Sequence, residues 1–184
     1  MTLRRPSLCV AALVLSCATV HPYKFTNYTQ NQPAMNSVRQ NRVAVLPLSG
    51  PDGSRFADEL SIQLGKLNRF DIVERQRITD LFQEQDLDPS RVDQTTAVQL
   101  GKMLGAHAVV MGTVNDYRPG HVSANVRLVA VETGEIAWQG GDDLNGFDAR
   151  VQALAEDDAD RGRMARDPDF LAMWLARLLA ESVK

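Results

Sequence analysis

The chain has 184 residues, 44% of them hydrophobic and 23% charged, with a formal net charge of −3. That balance belongs to a globular protein rather than a disordered one, and the lack of a basic excess argues against nucleic acid as a partner. With about 140 residues left after the amino-terminal segments are set aside, one domain with a proper core is expected.

Residues 1–16 read as a signal peptide. Arg4 and Arg5 make a positive start, and Leu8 to Leu15 is a short apolar run. Such a run is too short for a bilayer span, which needs about 20 helical residues, but it suits a signal core. Val14-Leu15-Ser16-Cys17 resembles the lipobox of bacterial lipoproteins. The resemblance implies cleavage before Cys17 and diacylglycerol on its thiol. The chain has two cysteines, Cys9 and Cys17. Cys9 leaves with the signal, so the mature protein keeps one thiol, at its first residue, and no internal disulfide can form. Acylation also removes the liability of a lone thiol in an oxidising compartment. Ala18 follows the cysteine where an aspartate is absent, which resembles lipoproteins sorted to the outer membrane. The expected place is therefore the periplasmic face of that membrane, held by lipid.

Residues 17–41 are rich in Asn, Gln, Thr and Pro and read as a flexible tether. A second reading makes Tyr23, Phe25 and Tyr28 a strap that packs on a neighbour. The folded domain is expected over residues 42–141. Val43 to Leu48 is an unbroken apolar run, as in a strand buried on both faces. Ser49 to Gly53 is a loop, and Ser54 is expected to cap a helix bearing Phe56, Leu60, Leu64 and Leu67. Phe70 to Val73 is a short strand. Ile78, Leu81 and Phe82 mark a second helix, and Asp93 caps a third with Ala97, Leu100 and Leu104. Strands follow at Ala108 to Val114, Val122 to Val131 and Ile136 to Gln139, with Asn115 to His121 as a turn and Gly134 in another. The order β-α-β-α-α-β-β-β gives an α/β (α+β) fold: a mixed sheet, antiparallel towards its end, with helices packed on it. Residues 142–167 read as a polar linker. Residues 168–184 form a last amphipathic helix, opened by Asp167 and Pro168, with Leu171, Trp174, Leu175, Leu178 and Leu179 on one stripe.

Three stretches carry a family resemblance. Arg69-Phe70-Asp71-Ile72-Val73-Glu74-Arg75-Gln76, with Ile78, Leu81 and Glu84-Gln85, is one. Leu100-Gly101-Lys102-Met103-Leu104-Gly105-Ala106 is another, and Val126 to Val131 with Thr133-Gly134-Glu135-Ile136 closes the set. In this order, with the lead strand and the lipobox, they resemble the CsgG family, the curli assembly and transport lipoproteins. The resemblance covers Arg42 to Trp138. It implies a non-enzymatic role in envelope assembly or secretion, with envelope or secretion proteins as partners and self-association as a further form of partnership. LpoB-type activators of penicillin-binding proteins share the domain type, which keeps a cell-wall synthase open as an alternative partner. The chain departs from the family at His107, where an acidic residue is usual. It also shows no long amphipathic insertion of the kind that builds the curli channel. Asn115 to His121 is short and polar, and Gly140 onward is charged, so the chain alone is expected to form no transmembrane pore.

No catalytic, cofactor or metal residues are expected; the one site residue is Cys17, for lipid. The Ser49 to Ser54 loop lacks both phosphate-binding glycine patterns. His21, His107 and His121 are scattered and match no zinc spacing. Glu156, Asp157, Asp158 and Asp160 lack the spacing and glycine of a calcium loop and read as a solvated face. Glu74 is expected to favour a helix amino terminus, with Arg75 paired locally. Gly101 and Gly105 allow helix contact and termination. Trp174 and its stripe are the best partner candidate, although core packing accounts for them better. A small-ligand binder using the loop after the first strand is a rival that would need convergent polar groups in a pocket.

Overall fold

The computed structural model describes residues 24–25, 27–38 and 41–183. Cys17, His21, Tyr23 and the signal segment lie outside the described residues. The elements in chain order are β1 (Tyr28–Gln30), α1 (Gln32–Val38), β2 (Arg42–Val45), α2 (Gly53–Lys66), β3 (Asp71–Ile72), α3 (Arg75–Glu84), a 3-10 turn (Pro89–Arg91), α4 (Gln94–Leu104), β4 (Ala108–Arg118), β5 (His121–Ala130), β6 (Ile136–Asn145), α5 (Ala149–Gln152), α6 (Asp158–Arg166) and α7 (Pro168–Ser182). From Arg42 the order is the one expected.

The six strands form one mixed sheet in the order β1-β6-β5-β4-β2-β3. β2 lies between β3 and β4 and is parallel to both, while β4, β5, β6 and β1 run antiparallel in turn. The connections leaving β2 and β3 run in opposite directions across the sheet. A common crossover hand therefore places α2 on one face and α3 with α4 on the other. Two cores follow. The larger joins Phe56, Leu60 and Leu64 of α2 and Leu171, Leu175 and Leu179 of α7 to Val43, Val110, Val126 and Leu128 of the sheet. The smaller joins Ile78 and Phe82 of α3 and Leu100 of α4 to Ala44, Leu46, Val109 and Val129. Val43 to Leu46 is almost wholly buried because its alternate side chains enter different cores.

Asp93 caps α4, accepting the Thr96 N–H at 2.7 Å, and Asp167 caps α7 through the N–H groups of Asp169 and Phe170. Gly101 sits where an added Cβ would lie 2.6 Å from Val131 Cγ2 and 2.7 Å from Val109 Cγ1, so its bare surface sets the distance of α4 from the sheet. Gly105 ends that helix at φ +64°.

Several boundaries differ from the sequence reading. Ser54 does not cap α2. The cap is Asp52, in the left-handed region and without a side-chain cap bond, and α2 starts at Gly53. A Cβ at Gly53 would fall 2.1 Å from the Leu48 carbonyl oxygen, so the chain turns into the helix one residue early. Asn115 to His121 is not a turn. β4 continues to Arg118 past an irregularity between Val114 and Asp116, and only Pro119 and Gly120 connect it to β5. Gly120 takes φ +74°, which suits a tight hairpin loop. β6 likewise runs on to Asn145, since nine backbone positions paired with β5 outweigh the weak strand propensity of Gly140-Gly141-Asp142-Asp143.

Two expected segment boundaries also move. The 17–41 tether contains β1, paired with β6 through Tyr28, Thr29 and Gln30, and α1, whose Ala34, Met35 and Val38 are buried. The strap reading of this stretch is the nearer one, with the sheet of the same chain as its neighbour. Three apolar residues at helical spacing among Asn, Gln and Ser suffice because the sheet edge supplies their partner surface. The 142–167 linker holds the end of β6, α5 and α6, with Val151 and Met164 buried. Asp148 and Asp157 cap the two helices, so part of the apparent acidic run caps helices. The last helix, α7, covers the sheet as core packing requires, and Trp174 is partly buried against it.

Candidate interaction surface

Strand alternation decides what the sheet presents. On β5, Val122, Ala124, Val126, Leu128 and Ala130 enter the larger core. His121, Ser123, Asn125, Arg127 and Val129 therefore face the other way. α3 and α4 reach Val129 and Val131 at the far end of that face. The smaller core still reaches Met111 beside Arg127, and from Asn125 to His121 no residue of that core covers the face among the described residues.

Register builds this face in rows. Arg127 lies between Met111 on β4 and Gln139 on β6, with Thr29 of β1 beyond. The next row is Thr113, Asn125 and Gly141, and Asn27 accepts the Gly141 N–H on its carbonyl at 3.1 Å. Asp116, Ser123 and Asp143 follow, then Arg118, His121 and Asn145. The first two rows line an open groove of about 700 Å³. Gly141 keeps it clear: a Cβ there would meet the Asn125 side-chain oxygen at 2.1 Å. Arg127 is steadied by Gln94, whose side-chain oxygen accepts from it at 3.4 Å and whose amide donates to the Gly134 carbonyl at 2.8 Å.

The last rows hold a charge cluster. His121 Nδ1 is 2.7 Å from Asp116 Oδ2, and Nε2 is 2.5 Å from Asp143 Oδ1. Arg118 donates to both Asp116 oxygens. The hydrogen bond to Asp116 is the main cause of a raised His121 pKa, and the same bond is the main cause of a lowered Asp116 pKa. On the opposite face Tyr117 donates to Asp169 at 2.6 Å, and Arg55 pairs with that carboxylate at 2.7 Å, tying β4 to α7 and α2. Burial, then the Asp169 bond, pushes the Tyr117 pKa upward.

The remaining sequence candidates have structural duties. His107 is exposed, and its Nδ1 accepts the Arg42 N–H at 3.3 Å. Arg75 does not pair locally; it reaches across to Asp58 of α2 at 2.7 Å. Glu74 precedes α3 without a side-chain cap bond. Ser49 Oγ is engaged by the Gly112 carbonyl and the Thr113 hydroxyl. Among the described residues no group of three or more His, Cys, Asp or Glu is placed to hold a metal ion. The open face does have a sequence signal: His121 to Arg127 alternates polar and apolar residues at every step. That period of two is its signature.

The family described as "Curli production assembly/transport component CsgG" matches residues 12–123, more than half of the chain. The match takes in the lipobox and the first two resembling stretches and ends before Val126. Among solved structures, a PelC dodecamer from Paraburkholderia phytofirmans is similar at a TM-score of 0.55 and 15% identity, over 86% of this chain and 99% of that one. A second PelC dodecamer crystal form gives 0.50 and 14%, over 85% and 94%. The LpoB C-terminal domain from Salmonella enterica gives 0.47 and 19%, over 63% and 96%. No curated protein matches the sequence.

Proposed function

The chain belongs to the family of the curli production assembly/transport component CsgG, and on that footing we propose a lipid-anchored periplasmic lipoprotein that binds other proteins during envelope assembly or secretion. The observation that carries the binding role is the uncovered polar face of β4, β5 and β6. It is broad and shallow, mixes donors and acceptors, and has one steadied guanidinium, Arg127. Such a surface suits a polypeptide partner that supplies carbonyls and a carboxylate, rather than a small molecule enclosed in a pocket. The Cys17 lipobox supports anchoring, and Ala18 supports the outer membrane. Self-association belongs to the same proposal, in keeping with the dodecamers of PelC.

The polypeptide itself stays in water. β4, β5 and β6 have 11, 10 and 10 residues, long enough for barrel strands. Length alone therefore does not exclude a pore. Pattern argues against one: one face of these strands is buried under the chain's own helices, and the other carries Asp, Arg and His. Neither face is an apolar stripe for lipid. Co-purification from detergent extracts after crosslinking tests the reading. Recovery of assembly or secretion components, lost on Arg127→Glu and kept on Arg77→Glu at an exposed position of α3, is the expected result. Recovery of cell-wall synthases instead would favour the activator alternative. No loss on Arg127→Glu would remove the face from the proposal.

A further inference from the structure

We infer that the docked strap is part of the partner site, and that the partner is a protein held in the same membrane as the lipid anchor. This rests on the function proposed above and adds where that partner must stand.

The strap is built into the open face. β1 pairs with β6 through Tyr28, Thr29 and Gln30. The backbone continues the pairing at both ends: Asn27 accepts the Gly141 N–H at 3.1 Å, and Asn31 donates to the Ala137 carbonyl at 2.8 Å. Side chains alternate across a strand. Tyr28 packs against the larger core, its ring stacked on Phe25 at 6.0 Å. Thr29 therefore points to the open face, where it stands exposed beside Gln139. Asn27 and Thr29 form one wall of the groove that Asn125 and Arg127 line from β5. α1 fixes the other end of the strap, with Met35 fully buried and Ala34 and Val38 nearly so. The wall is held by the same core that holds the sheet.

Position in the chain then sets distance. Ten residue steps separate Cys17 from Asn27. A chain of trans peptides spans at most about 3.6 Å per residue, so Asn27 lies within about 36 Å of the acylated residue by any path. Thr113, on the other side of the groove, stands across β6 and β5 on β4. Three strand spacings add about 14 Å, so the whole groove lies within about 50 Å of the lipid. A chain free as far as Arg42 would have allowed about 90 Å by the same arithmetic.

A partner held in that membrane meets the groove without spanning the periplasm. The segment that fits supplies a carboxylate to Arg127, whose guanidinium is held by neutral Gln94 and by no carboxylate among the described residues. It offers backbone amides to Thr29 and Asn125.

The test is photo-crosslinking in cells with the full lipidated chain, the probe placed at Thr29 or at Gln139. Adducts are identified by mass spectrometry after the two membranes are separated, at expression low enough for yield to rise with the amount of chain. Both positions should give the same adduct, with a protein of the membrane that holds the anchor. A flexible insert of about 20 residues between His21 and Pro22 lengthens the leash about threefold and should cut that yield about fivefold, because effective concentration falls roughly as the −3/2 power of length. Adducts from Gln139 without any from Thr29 would overturn the strap's part in the site. Adducts confined to proteins of the other membrane, or a yield unchanged by the insert, would overturn the partner's place. No adduct from either position would remove the face itself, and this inference with it. Palmitate labelling of the same chain reads the anchor separately: adducts from an unlabelled chain would leave the face standing and overturn the leash.

Discussion

Leu64→Ala perturbs the place where α2, α7 and the sheet meet. Leu64 is 3% exposed, Leu179 opposite it is fully buried, and the two border a small apolar void with Val43, Leu60, Phe70 and Trp138. Removing three carbons forfeits about 2.4 kcal/mol of transfer free energy, at about 0.8 kcal/mol each. The gap left behind adds to this, because a helix fixed on both sides closes only in part. The sum falls at about 3–4 kcal/mol, within the range of about 2–5 for buried leucines. Urea denaturation should show that loss with an unchanged slope, and the melting temperature should fall by about 10 °C. Met103→Ala, at 55% exposure on α4, is the control and should change stability by no more than about 0.5 kcal/mol. A loss under about 1 kcal/mol for Leu64→Ala would refute the placement of α2 against α7.

Gly101→Ala drives a methyl into Val131 and Val109 and should cost about 1–3 kcal/mol, read by the same denaturation. Tyr117→Phe leaves Asp169 with Arg55 alone and should cost about 1.5–3 kcal/mol, less whatever water restores at that half-exposed carboxylate; an unchanged midpoint would mean the bond contributes nothing. Labelled palmitate should enter the wild-type protein and not Cys17→Ala, and equal labelling would remove the anchor. Lipidated protein in planar bilayers should give no discrete conductance steps; reproducible steps would restore a channel function.

The element order and the main helical faces were legible because they are written in local periodicity. Phe56, Leu60 and Leu64 repeat at the helical period, and Asp93 and Asp167 stand at helix starts as cap chemistry requires. What escaped the sequence depended on tertiary pairing. Gly140 to Asn145 has little strand preference of its own and is extended because β5 offers a ladder. Tyr28 to Val38 looks like spacer because its few apolar residues matter only against the edge of β6. The polarity of Asn115 to Arg118 hides the continuing strand, although the Pro119-Gly120 pair is the stronger turn signal. Asp116, His121 and Asp143 come from three strands, so no linear spacing could announce them.

The account stands or falls on whether the polar face of β4, β5 and β6 is where a partner sits. Photo-crosslinking in living cells measures this directly, with the probe placed at Gln139 on that face or at Met103 on exposed α4. Discrete protein adducts from Gln139, absent from Met103, are the predicted result. Adducts of equal yield from both positions, or from Met103 alone, would contradict it.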